Sequence, residues 1–407
     1  MRIAVPDPAR GRGLCVRHSR PRAGATRVLL CLLAVLAGCA TPESGPTAEK
    51  FVETREVMGT WATVTLVTDN GKRAVAASDA AFACLDSVNA LMNPRWETSE
   101  IFAVNDRGTR EPVRVSAPTF TVLEQSLRMF ALSGGAFDVT VGPLIALWQE
   151  HGRAGTVPTE EEIRAARALV GPAQLVLDAA GSTAALHVPG ARVDLGGIAK
   201  GYAIDLAVDA IRREGVESGI VEAGGDLRCF GTIPAALIGR EADQPVRALR
   251  NRPIRPRPEQ GTGGGAETVF QGLRRSEGAP MADPQPWPLG VQDPFAERLL
   301  GRIRVRDQAV ATSGHYRRFV TIGGRRYSHI LDPRTGRPVE DPASVTVIAG
   351  NALEADGLAT AITVLGAVRG LALAESLPGV EALIVTGGAD DPRVVKTSGF
   401  PEMEPIP

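Results

Sequence analysis

The chain has 407 residues, 44% of them hydrophobic and 22% charged, and a formal net charge of −1. That balance belongs to an ordinary globular protein and excludes a disordered chain or a multi-span membrane protein. It offers no global basic field for nucleic acid, and with 4% aromatic residues it has no platform on which bases could stack.

The first element is a leader. Residues 1–27 carry seven arginines and no Glu, and an eleven-residue apolar run, Val28 to Gly38, follows. A bilayer core takes about 20 residues, so this run fits the apolar region of a secretory signal peptide instead. It ends in Leu36-Ala37-Gly38-Cys39, which resembles the lipobox of bacterial lipoproteins, where cleavage precedes a cysteine that is then acylated. Residues 1–38 are therefore expected to be a lipoprotein-type signal peptide, Cys39 the lipidation site and 39–54 a flexible tether. The alternative is a plain signal peptide in which Cys39 is incidental. Either way the mature chain is expected outside the cytoplasm; with the lipid it is membrane-anchored and faces the periplasm. The long stretch before the apolar run points to a start codon downstream of Met1. The other cysteines, at 15, 31, 84 and 229, form no CxxC or Cys/His cluster, so neither a zinc site nor a disulfide framework is expected. Cys84 and Cys229 read as small buried hydrophobes.

In the mature chain, Thr60 to Thr68 alternates and is β-branched, the pattern of a strand. Helices are expected over 72–92, over 118–133 before Gly134-Gly135, and over 158–169, whose first turn is acidic. Short strands follow at 174–178, 184–188 and 191–195. Lys200 to Arg213 places Ala203, Ile204, Ala207, Val208 and Ile211 at helical spacing. Further strands are expected at 218–223, 226–231, 288–292, 302–312, 317–322, 344–349 and 381–385, with a helix at 352–374. Helices and strands interleave without a βαβ rhythm, which favours an α+β domain. Residues 240–286, rich in Arg, Pro and Gly, read as a flexible insertion, or else as a basic arm for a partner.

Two patterns carry chemistry. In Asp194-Leu-Gly-Gly-Ile-Ala-Lys200 a strand turns through glycines into a helix, whose free N–H groups favour a phosphate, with Lys200 adding charge. By itself such a turn is equally a tight connection. In the helix at 352–366, Asp356 and Thr360 stand one turn apart and share a face. A carboxylate, a hydroxyl and a carbonyl from a nearby glycine turn would suit Mg²⁺, which takes hard oxygens and keeps contacts to phosphates. Taken alone, the pair reads first as a solvated Asp and a buried Thr.

These segments, in this order, resemble the ApbE family of FAD:protein FMN transferases. The matching pieces are Met58-Gly-Thr-Trp61, Ser99-Glu100 through Asn105, Phe137-Asp-x-Thr-x-Gly-Pro-Leu, Asp194-Leu-Gly-Gly-Ile-Ala-Lys-Gly, Glu222-Ala-Gly-Gly-Asp226, Val291-Gln-Asp-Pro294, Ala311-Thr-Ser-Gly314, His329-Ile-Leu-Asp-Pro and Asp356-Gly-Leu-Ala-Thr360. The resemblance implies a single catalytic domain over 55–400 with an ApbE-type, T-fold-like α+β architecture. It implies that Met58, Ala136, Phe137, Asp138, Asp194, Lys200 and the backbone near Ile330 hold FAD. Mg²⁺ would take the Gly197 carbonyl, the Asp356 carboxylate and the Thr360 hydroxyl. The implied reaction moves FMN from FAD to a Ser or Thr hydroxyl of an exported acceptor flavoprotein or membrane redox subunit and releases AMP. His329 is the candidate base, since imidazole titrates near neutrality; a structural role at the Asp332 turn is its alternative. His315 stands where the family more often has Asp or Asn and receives no role. Arg95-Trp-Glu-Thr98 replaces the usual aromatic and Asp-Pro-Asp, with Trp96 as the substitute ring. Two other readings use the same features: an FAD pyrophosphatase with water as nucleophile, and a non-enzymatic flavin-binding lipoprotein.

Overall fold

The computed structural model describes residues 47–238, 271–275, 279–280, 283–314 and 319–406. The residues expected to be a signal peptide, the expected lipidation site Cys39, His315 and most of the 240–286 segment lie outside them. Within the expected tether, Thr47 already begins a strand that runs to Val57, so residues 47–54 are part of the domain and not a tether. The strand was hidden because its inward residue Glu53 is charged. Glu53 is nonetheless buried, because Ser78 Oγ donates to it at 2.5 Å and Arg55 Nε at 2.8 Å.

Eight strands form the core of one antiparallel sheet and follow each other in chain order: β1 (Thr47–Val57), β2 (Thr60–Thr68), β3 (Gly219–Ala223), β4 (Asp226–Phe230), β5 (Ala309–Gly314), β6 (Ser344–Ala349), β7 (Glu381–Thr386) and β8 (Arg393–Lys396). Gln271–Arg275 and Ala279–Pro280 add to the β1 edge, so part of the segment read as a flexible insertion is strand. Long excursions leave between β2 and β3 and between β4 and β5, yet each strand returns beside its predecessor. Both faces of the sheet are covered. Successive side chains of a strand point to opposite faces; in β6, Val345, Val347 and Ala349 enter the helical side and Ile348 the other, and all six residues are buried. Hence the uninterrupted apolar run in the sequence.

On the helical side lie α1 (Gly71–Met92), α2 (Glu100–Arg107), α3 (Ala117–Leu132), α6 (Ala199–Arg213) and α7 (Ala352–Glu375), while α4 (Gly142–Ala154) and α5 (Glu160–Arg167) form a separate apolar cluster with Ile322 and Leu331. The Asn70 side chain caps α1 by accepting from Lys72 and Arg73 N–H, and its buried stripe of Ala74, Ala77 and Ala81 is small enough for helices to approach closely. The opposite side is closed by the hairpin Trp287–Gln292/Leu299–Val305 and by Phe400. Together these make an α+β domain.

Three expectations are corrected by the geometry. Residues 191–195 are extended but form no ladder: Arg192 makes one bridge, to Val141, and the Asn105 side chain holds Val193 by both its N–H (2.7 Å) and its C=O (2.9 Å). The strand expected over 302–312 is two strands, parted at Asp307, whose φ is 52°. The helix at 352–374 is two helices meeting at Gly366 (φ 76°, ψ 175°), a conformation that favours glycine. A β-carbon on Gly370 would stand 2.6 Å from the Ile362 side chain of the first half, so only glycine fits there. The break between the two helices lets β7 return antiparallel to β6.

Candidate active site

The site is built where the N-terminus of α6 meets the first half of α7. The extended segment ending at Asp194 turns through Gly196-Gly197 into α6. Asp194 N–H donates to Val139 C=O at 2.7 Å and its Oδ1 accepts from Gly196 N–H at 2.8 Å. Burial pushes the Asp194 carboxyl up from its ordinary value, outweighing the Gly196 amide and the nearby Arg95 cation. Gly197 lies against α7: a β-carbon placed on it would stand 3.1 Å from Thr360 Oγ1 and 3.3 Å from the Phe137 ring. Thr363, a turn further on, bonds its hydroxyl back to Ala359 C=O at 2.7 Å, the ordinary habit of a helical threonine. Thr360 makes no such bond within its own helix, and its hydroxyl faces the glycine turn.

Asp356, one turn before Thr360, is 3% exposed. Lys200 Nζ stands 3.2 Å from each of its oxygens, and Gly201 N–H donates to Oδ2 at 3.1 Å. Lys200 also pairs with the buried Asp226 at the start of β4. Burial works to lower the Lys200 ammonium, but Asp226 and Asp356 outweigh it and raise its pKa. Burial raises the Asp356 carboxyl, against the pull of Lys200 and with the push of Asp226. Two carboxylates face one ammonium, so the buried cluster retains one negative charge. Such a charge is costly in a low-dielectric interior unless a further cation balances it. With Asp356, Thr360 and the Gly197 turn supplying hard oxygens, the residues fit Mg²⁺.

The sequence-chosen residues fall around this point in three ways. A β-carbon on Gly197 would meet both Phe137 and Thr360, and Asp356 and Lys200 are an ion pair. Ala136 and Ile330 pack together with Val364 of α7. Both main-chain groups of Ile330 are engaged internally, its N–H with Ser328 Oγ and its C=O with Val339 N–H, so its side chain is what the segment brings to the site. Asp138 is buried and its Oδ1 accepts from Thr140 N–H at 2.8 Å and Thr140 Oγ1 at 2.6 Å; burial raises its pKa despite them. It shapes the loop after Phe137. Met58 (φ 54°) and Gly59 (φ 69°) form the two-residue turn between β1 and β2, beside the Gly224-Gly225 turn, whose Gly224 N–H donates to Trp61 C=O at 3.1 Å. His329 is exposed, between the buried Ser328 and Ile330. The Asp332 turn is held by Arg334, whose Nε and Nη2 each lie 2.9 Å from the Asp332 carboxylate.

The family model for the ApbE family matches residues 58–247 and 264–384. The chain belongs to the ApbE family. An FAD:protein FMN transferase of Vibrio cholerae is 33% identical over 361 residues, covering 86% of this chain and 90% of that protein. One of Treponema pallidum is 28% identical over 382 residues, covering 92% and 93%. Among solved ApbE structures, the flavin transferase of V. cholerae aligns with a TM-score of 0.66 at 30% identity over 87% of this chain and 98% of that one. The ApbE protein of Thermotoga maritima aligns with a TM-score of 0.67 at 28% identity over 86% and 98%.

Three residues of this ApbE-family site carried no role in the sequence reading. Asp226 was visible only as the acid closing Glu222-Ala-Gly-Gly-Asp; its partner Lys200 lies 26 positions earlier. Asn105 had a place in a motif, but its grip on Val193 crosses 88 positions. Asp205 had no signal beyond being an acid on the polar side of α6.

Proposed function

We propose that this protein transfers the FMN half of FAD to a Ser or Thr hydroxyl of another protein, with Mg²⁺ at the Gly197, Asp356 and Thr360 oxygens. The observation that carries the reading is the placing of the Thr360 hydroxyl against the Gly197 turn, one helical turn from a buried carboxylate in a cluster of net negative charge. Mg²⁺ bound there would offset charge on the FAD pyrophosphate. The turn at Gly196-Gly197 presents the first amides of α6 to that pyrophosphate, and Lys200 holds Asp356 ionised and oriented. Phe137, Ala136 and the Ile330 side chain supply apolar surface beside it, and Met58 stands at the hairpin turn to receive the flavin. The acceptor oxygen forms a bond to the FMN phosphorus, the pyrophosphate P–O bond breaks, and AMP leaves with that electron pair. The acceptor proton passes to His329, exposed at the edge of the Ser328–Ile330 segment.

Export follows from the leader: cleavage before Cys39 and its acylation would tether the enzyme at the membrane, facing periplasmic acceptors such as flavoproteins or membrane redox subunits. Co-expression with an exported acceptor, followed by mass spectrometry, tests the whole reading. Wild type adds an FMN mass to Ser or Thr of the acceptor, and Asp356→Ala does not. Rapid AMP release from FAD and Mg²⁺ without acceptor would instead identify a pyrophosphatase.

A further inference from the structure

The contact between α6 and α7 is reciprocal. Gly201 lies so close to Ala352 that a β-carbon on it would overlap the Ala352 carbonyl. From this point each helix gives amides to a carboxylate on the other. Gly201 N–H donates to Asp356 Oδ2 at 3.1 Å, while Ala352 and Leu353 N–H donate to Asp205 Oδ1 and Oδ2, both at 2.9 Å. Asp205 lies four positions after Gly201, and Asp356 four positions after Ala352. The first N–H groups of a helix have no partner within it. In α7 the Asn351 side chain takes only the third, Glu354 N–H, at 2.9 Å, so the first two depend on Asp205. Arg228 of β4 donates to Asp205 Oδ1 at 2.8 Å and fixes it to the sheet.

We infer that Asp205 is a positioning residue for the metal site: it sets the rotation and height of α7 on α6, and through them where Asp356 and Thr360 stand relative to Gly197. Asp205 touches neither substrate nor metal ligand; it acts on the backbone of the helix that carries both ligands. A carboxylate is required because two amides must be accepted by two oxygens. In Asp205→Asn the amide nitrogen cannot accept, so one N–H at the start of α7 loses its partner and the helix is free to shift there. This inference rests on the metal reading proposed above.

The test is direct Mn²⁺ binding, followed by electron paramagnetic resonance with FAD present, on wild type, Asp205→Asn, Asp356→Asn and Arg228→Gln, alongside thermal melts. Residues that orient metal ligands typically change affinity about 10–100-fold when replaced. Asp205→Asn should therefore weaken Mn²⁺ binding by that factor while the protein remains folded, and Arg228→Gln, which leaves both oxygens on α7, should weaken it less. Asp205→Asn with unchanged Mn²⁺ affinity and only a lower Tm would reduce Asp205 to a structural cap and overturn the inference. Unchanged binding in Asp356→Asn would remove the metal site itself, and this inference with it.

Discussion

Thr360 Oγ1 stands 3.1 Å from where a β-carbon on Gly197 would lie, although 163 positions separate the two residues in the chain. The closeness leaves no room for a side chain at the glycine without moving the threonine. Gly197→Ala is therefore expected to fold and to bind flavin, but to push Thr360 aside by a few tenths of an ångström. Because small misplacements of reacting groups cost up to about 100-fold in rate, transfer should fall about tenfold or more. The dependence on Mg²⁺ concentration should move to higher values. Steady-state transfer measured across a Mg²⁺ series checks this, and an unaltered Mg²⁺ profile would show that the contact is incidental.

Lys200 is the common partner of Asp226 and Asp356. Lys200→Met keeps the length of the side chain and removes its charge, leaving two buried carboxylates face to face. Breaking a buried pair from one side costs about 3–5 kcal/mol; with the Lys200 side chain 22% exposed, the lower end is expected. The loss should be read as a fall in the urea midpoint of the metal-free protein. Added Mg²⁺ should restore more stability to this variant than to wild type, since the cation it lacks is then supplied. Equal stabilisation of both proteins by Mg²⁺ would argue against a metal at this cluster.

Gly201→Ala introduces a β-carbon onto the Ala352 carbonyl, where backbone on both sides prevents relief. Overpacking of this sort costs about 1–3 kcal/mol. Separation of α6 from α7 should also weaken the Gly201 N–H bond to Asp356. A lowered Tm together with loss of transfer is the expected pair of results, whereas Gly215→Ala, at the far end of α6, should leave transfer intact.

The C-terminal segment gives a pH effect separate from the site. Glu404 exchanges main-chain bonds with Arg302 and accepts from Arg304 Nε at 2.6 Å. The Arg304 hydrogen bond, helped by the Arg304 and Arg302 charges, outweighs burial and lowers its pKa. A carboxyl lowered in the folded state contributes stability above its unfolded pKa, and that contribution disappears as pH falls through the folded value. Amide protection at Arg302 and Glu404, taken against the intrinsic exchange rate at each pH, should therefore fall as pH drops through the lowered Glu404 value, and Glu404→Gln should show the lower protection already at neutral pH. The pair is half-exposed, so its effect on global stability should stay below about 1 kcal/mol.

Much of this arrangement was legible without coordinates, for local reasons. The alternation in Thr60–Thr68, the capped Ala-rich run at 71–92 and the interleaving of helix and strand are set by neighbours in sequence, and they lead to an α+β domain. The one-turn spacing of Asp356 and Thr360 follows from helix geometry alone, and the ordered motifs led to the family. What sequence could not supply were relations between distant segments. The β1 strand looked polar because Glu53 occupies an inward position, where Ser78 of α1 and Arg55, two places along the same strand, hydrogen-bond it. Asn105 stands in for a strand partner at Val193, and Gly366 turns a seemingly single helix back on itself. Asp205 carries no local pattern and Asp226 only closes a motif; their roles come from packing, which brings the start of α7 to one and a lysine to the other. Charge pairing and backbone caps act through space over a few ångströms, and only the folded chain decides which residues lie within that reach.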